Sequence, residues 1–308
     1  MAADIDRIID RRRLKRSLNV WRVIGIFAAA ASIALIVKGS GIAPDLVPEK
    51  PHIAVLDITD VILDDPDRND LLRDILDDDD ARALIVRINS PGGTFVGGEN
   101  LYEGLRSVSA IKPVVAVIGN MGTSAAYMAA LGSRHIFVRE GSLTGSIGVI
   151  LQSANIMKLL DKIGIEPVTV KSAAMKAQPN PVEEFTPESR LMIAGVIDDM
   201  YDIFLGIVAE RRGMTKDAMR VHADGRVFTG RQALVAGLVD SIGGMTEARE
   251  WLDTEAEISK ELPIINVTPG IEESPIFDLI SGSLGKTLFS ERLNLDGVLA
   301  LWHPQLNM

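Results

Sequence analysis

The sequence has no cysteine and only four histidines in 308 residues. Without cysteine there is no disulfide framework, no thiolate metal site and no cysteine nucleophile. That absence is silent on compartment, since an oxidising compartment permits disulfides without requiring them. The histidines (His52, His135, His222 and His303) are too few and too scattered to suggest a multi-histidine metal centre, so no metal and no cofactor is expected. Aromatics are scarce at 5%, while 47% of residues are hydrophobic and glycine and proline number only 27 and 14. That balance excludes a disordered or collagen-like chain and fits a globular core. The length admits two domains or one large α/β domain.

Positive charge is also scarce beyond the N-terminus. Residues 1–38 carry eight Arg/Lys against three Asp/Glu, leaving 24 basic and 39 acidic residues for the remainder. So acidic a body lacks the basic face that nucleic acid requires, and no nucleic-acid partner is expected.

The basic N-terminus precedes an apolar stretch over residues 20–37, in which Arg22 is the only charge. Its charge-free part, residues 23–37, has 15 residues. It would span about 22 Å of a hydrocarbon core roughly 30 Å thick. Trp21, Arg22 and Lys38 at its ends extend that reach by snorkelling. The segment reads as an uncleaved signal anchor, against a cleaved signal peptide or a buried helix as alternatives. The basic flank stays cytoplasmic, so the rest is expected on the extracytoplasmic side of the inner membrane. The division expected is a basic N-terminus (1–19), a transmembrane anchor (20–38), a linker (39–51), a catalytic domain (52–260) and an unassigned tail (261–308).

The body alternates strand-like and helix-like stretches. Strand signals fall at residues 52–58 (HIAVLDI), 81–89 (ARALIVRIN), 113–118 (PVVAVI), 135–138, 147–151 and 167–170. Helical patterns fall at 71–76, 95–108, 124–131 and 154–163. A long helix begins with Thr186 as N-cap and Pro187 at its first position, and Gly213 ends it. Apolar, β-branched runs separated by helices predict an α/β fold with a sheet covered by helices. The aspartate-rich stretch 64–80 resembles a calcium loop only at its start. Asp70 stands where that loop needs glycine and Leu76 where it needs glutamate, so helix caps and turns are the better reading.

The chemistry is expected at strand-to-helix corners. In residues 113–132 a buried strand runs into Gly122-Thr123-Ser124-Ala125-Ala126, which lets a serine project from a tight corner at a helix start. There a helix N-terminus offers free N–H groups to a developing oxyanion. Ser124 is therefore a candidate nucleophile, with a plain N-cap as the competing role. A second corner, Asn89-Ser90-Pro91-Gly92-Gly93, can present consecutive N–H groups to an anion.

A serine nucleophile needs a base. No histidine lies in a convincing context, which leaves a neutral lysine, either Lys171 or Lys176 in KSAAMK.

The motifs NSPGG, MGTSAAYMAA, LTGSIGVI, KSAAMK and ADGRVFTGRQALVAGLVDSIGG, in that order over residues 52–252, resemble the signal peptide peptidase A family. That resemblance implies a crotonase/Clp-protease-like fold of repeated ββα units behind an N-terminal transmembrane helix. It implies a membrane-anchored serine peptidase with a Ser–Lys dyad: Ser124 as nucleophile, Lys176 as general base, and Ser146 orienting the lysine. The oxyanion donors would be the backbone N–H groups of Gly93 and Ala125, and the substrates peptides such as signal-peptide remnants. A single copy of the domain resembles the short, homo-oligomeric form, built as a ring or dome, in which Lys176 can serve the Ser124 of a neighbouring subunit. The sequence departs from the family at Thr94, Ala125, Ala126 and Ala173, where glycine is usual. A crotonase-like acyl-CoA enzyme and a non-catalytic membrane scaffold are the alternatives.

Overall fold

The computed structural model describes Trp21, residues 50–268 and residues 299–301. Apart from Trp21, the expected membrane span lies outside the described residues. Among the described residues no helix is long and apolar enough to cross a membrane.

Strands β1 (His52–Ile62), β2 (Ala81–Thr94), β3 (Val114–Thr123) and β4 (His135–Val138) pair in parallel, each with the next. Their continuous apolar runs are what a sheet buried on both faces demands, because successive side chains point to opposite sides. Leu56, Leu84, Val86 and Ile118 enter the larger core, and Ile53, Val55, Ile85 and Val115 the smaller one.

Helices α1 (Pro66–Asp77), α2 (Phe95–Ile111) and α3 (Ala125–Ala130) fill the early connections. The chain continues through β5 (Leu143–Gly145), α4 (Met157–Lys162), α5 (Pro187–Arg212), α6 (Lys216–Arg220), β6 (Val227–Thr229) and α7 (Gly230–Val235). It ends with β7 (Ser241–Ile242), α8 (Met245–Glu255), β8 (Ile264–Val267) and β9 (Leu299–Leu301). Leu101 and Leu105 of α2, Tyr127 and Met128 of α3 and Phe204 and Val208 of α5 pack in the larger core. Ala248 and Leu252 of α8 close the smaller one.

Side-chain caps start several of the helices, as each helix needs partners for its first N–H groups. Asp65 Oδ1 accepts from Arg68 N–H at 3.2 Å, so the aspartate-rich stretch opens α1. Thr94 caps α2, Thr186 caps α5, and Thr229 forms a reciprocal box with Gln232 at α7.

Strand β3 forks. Its first half, residues 115–118, pairs with β4, and its end, residues 121–123, pairs with β5. The strand expected at residues 147–151 is thus displaced to Leu143–Gly145. Ladder pairing with the end of β3 decides the position, while Ile147 and Val149 serve as buried side chains instead. Residues 167–170 form no strand and pair with no strand of the sheet, and Val168 and Val170 are 86% and 95% exposed. The helix expected at residues 154–163 contracts to α4. Beyond residue 260, β8 adds in parallel to β1, and β9 lies antiparallel on residues 92–94 of β2.

Candidate active site

The corner between β3 and α3 carries Ser124 in a conformation that side chains avoid, with φ 56° and ψ −122°. Such a backbone costs on the order of 1–3 kcal/mol and persists only where its surroundings over-determine it. They do so here. The Ser124 N–H donates to Gly145 O at 2.8 Å, its carbonyl accepts from Met128 N–H at 2.9 Å, and Ala125 to Ala130 behind it are fully buried. The hydroxyl makes no cap and no side-chain hydrogen bond among the described residues, so the N-cap role is not the one it plays. Ala125, as the first residue of α3, presents an N–H with no partner inside the helix.

The partner strand brings Ser146. Thr123 is paired with Gly145, so the next residue on each strand, Ser124 and Ser146, leaves the same end of the sheet. Ser146 also has positive φ, 52°, and its N–H donates to Arg226 O at 2.8 Å. Gly145 precedes it at φ 79°, and a Cβ there would lie 2.6 Å from the Phe228 ring. Only glycine suits that position.

The second corner arrives from β2. Thr123 Oγ1 donates to Pro91 O at 3.0 Å, which ties the glycine turn to the serine corner. Gly92 has φ 106°, and its N–H donates to Ser90 Oγ at 3.2 Å. Gly93 sits so close to β1 that a Cβ would stand 1.8 Å from Ile62 O. A Cβ on Gly98 of α2 would stand 2.8 Å from that of Ala125, so α2 and α3 touch at the corner. Gly93, Ser124, Ala125 and Ser146 thereby share one end of the sheet. β9 already uses the adjacent edge, with Ala300 opposite Gly93.

Lys176 is not joined to this cluster by any hydrogen bond. It lies on an exposed turn between α4 and α5 and forms no hydrogen bond or ion pair through its amine among the described residues. Lys171 is committed elsewhere. Its ammonium is ion-paired with Glu183, whose carboxyl is held below the usual carboxylate range first by that contact and then by Asn180. Sequence reasoning passed over Glu183, which sits in NPVEEF and carries no local mark of burial or function.

The described histidines are occupied outside the corner. His135 Nε2 meets Ser241 Oγ at 2.9 Å, and burial holds its ring below the usual imidazole range. His52 lies 3.7 Å from Asp78, and the His222 ring packs against Phe228. His303 lies outside the described residues.

Comparison with known proteins places the family signal over the same region. Residues 106–259 match Peptidase family S49, a range that includes Ser124, Ala125, Ser146 and Lys176 but not Gly93. A candidate protease of Synechocystis is 40% identical over 179 residues, covering 58% of this chain and 65% of the relative. A candidate signal peptide peptidase SppA of Enterococcus faecium is 32% identical over 61% of this chain and 55% of its own. This chain thus covers less than two thirds of either protein. A candidate protease of Methanocaldococcus jannaschii is 30% identical over 73% of this chain and 74% of its own length.

Proposed function

Because this chain belongs to peptidase family S49, we propose that it hydrolyses peptide bonds with Ser124 as nucleophile and Lys176 as general base. The observation that carries the reading is Ser124 itself: a strained, buried corner serine whose hydroxyl has no side-chain hydrogen bond among the described residues and stands beside the first N–H of a helix. Residues kept in such a backbone against their preference cluster at active sites, ligand clamps and switches.

Neutral Lys176 takes the Ser124 proton as the hydroxyl attacks a peptide carbonyl. The N–H groups of Gly93 and Ala125 hold the oxyanion, and Ser146 orients the lysine. The amine leaves with a proton from Lys176, and water then hydrolyses the acyl-enzyme with the same lysine as base. The ion pair supports Lys176 over Lys171 in this reading: an ammonium held by the Glu183 carboxylate keeps its proton, which argues against Lys171 as the base.

An extended peptide suits the edge of residues 92–94, because β9 already adds to it as an antiparallel strand. Lys176 itself is exposed in the single chain, and a neutral amine needs drier surroundings. A second copy of the chain supplies them in this reading. The arm bearing Lys176 exposes Leu159, Ile163, Val168 and Val170, the sort of apolar surface that self-association covers. A ring or dome of subunits, each lending Lys176 to a neighbour, fits that face. Anchorage at residues 20–38 would hold the assembly at the outer face of the inner membrane, with signal-peptide remnants as substrates.

A fluorophosphonate probe tests the proposal. It should label the wild type at Ser124 and spare Ser124→Ala and Lys176→Ala. Peptide hydrolysis that survives both substitutions would exclude the dyad.

A further inference from the structure

The loop that carries Lys176 is closed by one carboxylate. Glu183 Oε2 accepts from Lys171 Nζ, twelve residues earlier, on one side of the loop. From the other side it accepts from Gln178 Nε2 at 2.7 Å and Asn180 Nδ2 at 2.8 Å. The Glu183 backbone joins in, since its carbonyl accepts from Asn155 Nδ2 at 2.8 Å, and Asn155 Oδ1 in turn caps Met157 N–H at 3.0 Å. Asn180 Nδ2 also reaches Ala177 O at 3.0 Å, directly after Lys176. The side chains of Lys171 and Glu183 are largely shielded, at 15% and 21% exposure. Three donors converging on one shielded oxygen form a connected network that ties the two sides of the loop together, with Gln178 Oε1 left buried and without a partner among the described residues. Lys176 lies exposed within the closed loop, and its amine makes no hydrogen bond or ion pair among the described residues.

We propose that Glu183 is the positioning residue for Lys176, clamping both sides of the 171–183 loop so that the base is presented in one place. This rests on the reading of Lys176 as the general base. Lys171 then has a role in the KSAAMK motif that is distinct from proton transfer: it is the cationic half of the clamp. The clamp is itself sensitive to pH in a definite direction. The Lys171 contact holds the Glu183 carboxyl below its usual range, so the clamp stays ionised through mildly acidic pH. It lets go only as pH falls below the ordinary glutamate range.

The experiment uses the full-length protein and compares Glu183→Gln, Glu183→Asp, Lys171→Met and the Glu183→Gln/Lys171→Met double variant. Glu183→Gln should lower kcat roughly 10- to 100-fold, the scale of a displacement of about 1 Å at a reacting group. KM for a peptide should hold, and the limb of kcat/KM that rises with pH should move to higher pH, because a loosened amine is better hydrated and keeps its proton. Glu183→Asp should recover part of the rate. Lys171→Met should behave like Glu183→Gln, and the double variant should be no worse than either, as expected of residues in one network. A Glu183→Gln protein with wild-type kcat and an unmoved limb overturns the positioning role. So does a rate loss that only follows a fall in Tm, with the limb unmoved. If Lys176→Ala is fully active, the dyad itself fails and the positioning role falls with it. If Lys176→Ala is inactive while Glu183→Gln matches the wild type, the dyad stands and the clamp alone is refuted.

Discussion

The Ser124 N–H donates to Gly145 O at 2.8 Å, and this single bond pins the candidate nucleophile to the strand that delivers Ser146 one residue later. Both serines have positive φ, and both lie where β3 and β5 end together. The corner is thus over-determined by a ladder formed from two separate stretches of chain.

The strain at Ser124 should be measurable. Ser124→Gly and Ser124→Ala should both be inactive, but the glycine variant should be the more stable of the two. Glycine tolerates φ 56° where alanine does not, an advantage of about 1 kcal/mol after the entropy cost of glycine. In thermal unfolding that is a gap of roughly 2–4 °C. A glycine variant that melts below the alanine variant would refute the strain argument.

Proton transfer to a neutral amine fixes the direction of the pH dependence. Activity should climb as pH rises and the ammonium is deprotonated, and Lys176→Arg should be inactive because a guanidinium stays charged. With acylation shown to be rate-limiting, a flat profile from about pH 5 to about pH 9 would contradict the dyad.

Gly93 and Gly141 offer a paired test of close packing. A Cβ on Gly93 would stand 1.8 Å from Ile62 O, whereas nothing lies within 4 Å of one on Gly141. Gly93→Ala should force β1 and β2 apart, lose activity and lower Tm, while Gly141→Ala should leave both within error. Chemical denaturation of the two variants side by side checks this.

The edge at residues 92–94 cannot hold β9 and a substrate strand at once. Ala300→Pro weakens a short strand, because proline removes a donor and fits poorly in a ladder. It should lower KM for a peptide substrate and leave kcat nearly unchanged. An unchanged KM would mean that peptides bind elsewhere.

The ion pair of Arg212 with Asp240, at 2.7 Å and largely shielded, ties the end of α5 to the start of β4, since Asp240 Oδ2 also accepts from Ile136 N–H at 2.8 Å. Asp240→Ala strands the arginine and should cost about 3 kcal/mol in denaturant unfolding, more than Asp240→Asn.

Much of the scaffold was legible in the residues themselves. The runs at 52–58, 81–89 and 135–138 became β1, β2 and β4, because apolar β-branched residues bounded by turns suit a sheet buried on both faces. Thr186-Pro187 and Gly213 marked the ends of α5, since caps act over three or four residues. The corner serine was legible too, from small residues packed around one hydroxyl after a strand.

What local pattern cannot reach is pairing across the chain. Ile147 and Val149 look like a strand, yet the ladder with β3 selects Leu143–Gly145, and nothing within residues 143–151 distinguishes the two. Composition and spacing leave Lys171 and Lys176 open, and only the resemblance of KSAAMK to a family motif points to Lys176. Glu183, twelve residues from the first, claims Lys171 as an ion-pair partner, while the Lys176 amine has none among the described residues. Composition, periodicity and capping are short-range and marked most of the elements that form. Registers, close approaches such as Gly93 against Ile62, and the partner each charge takes are long-range, so only the folded chain could decide them.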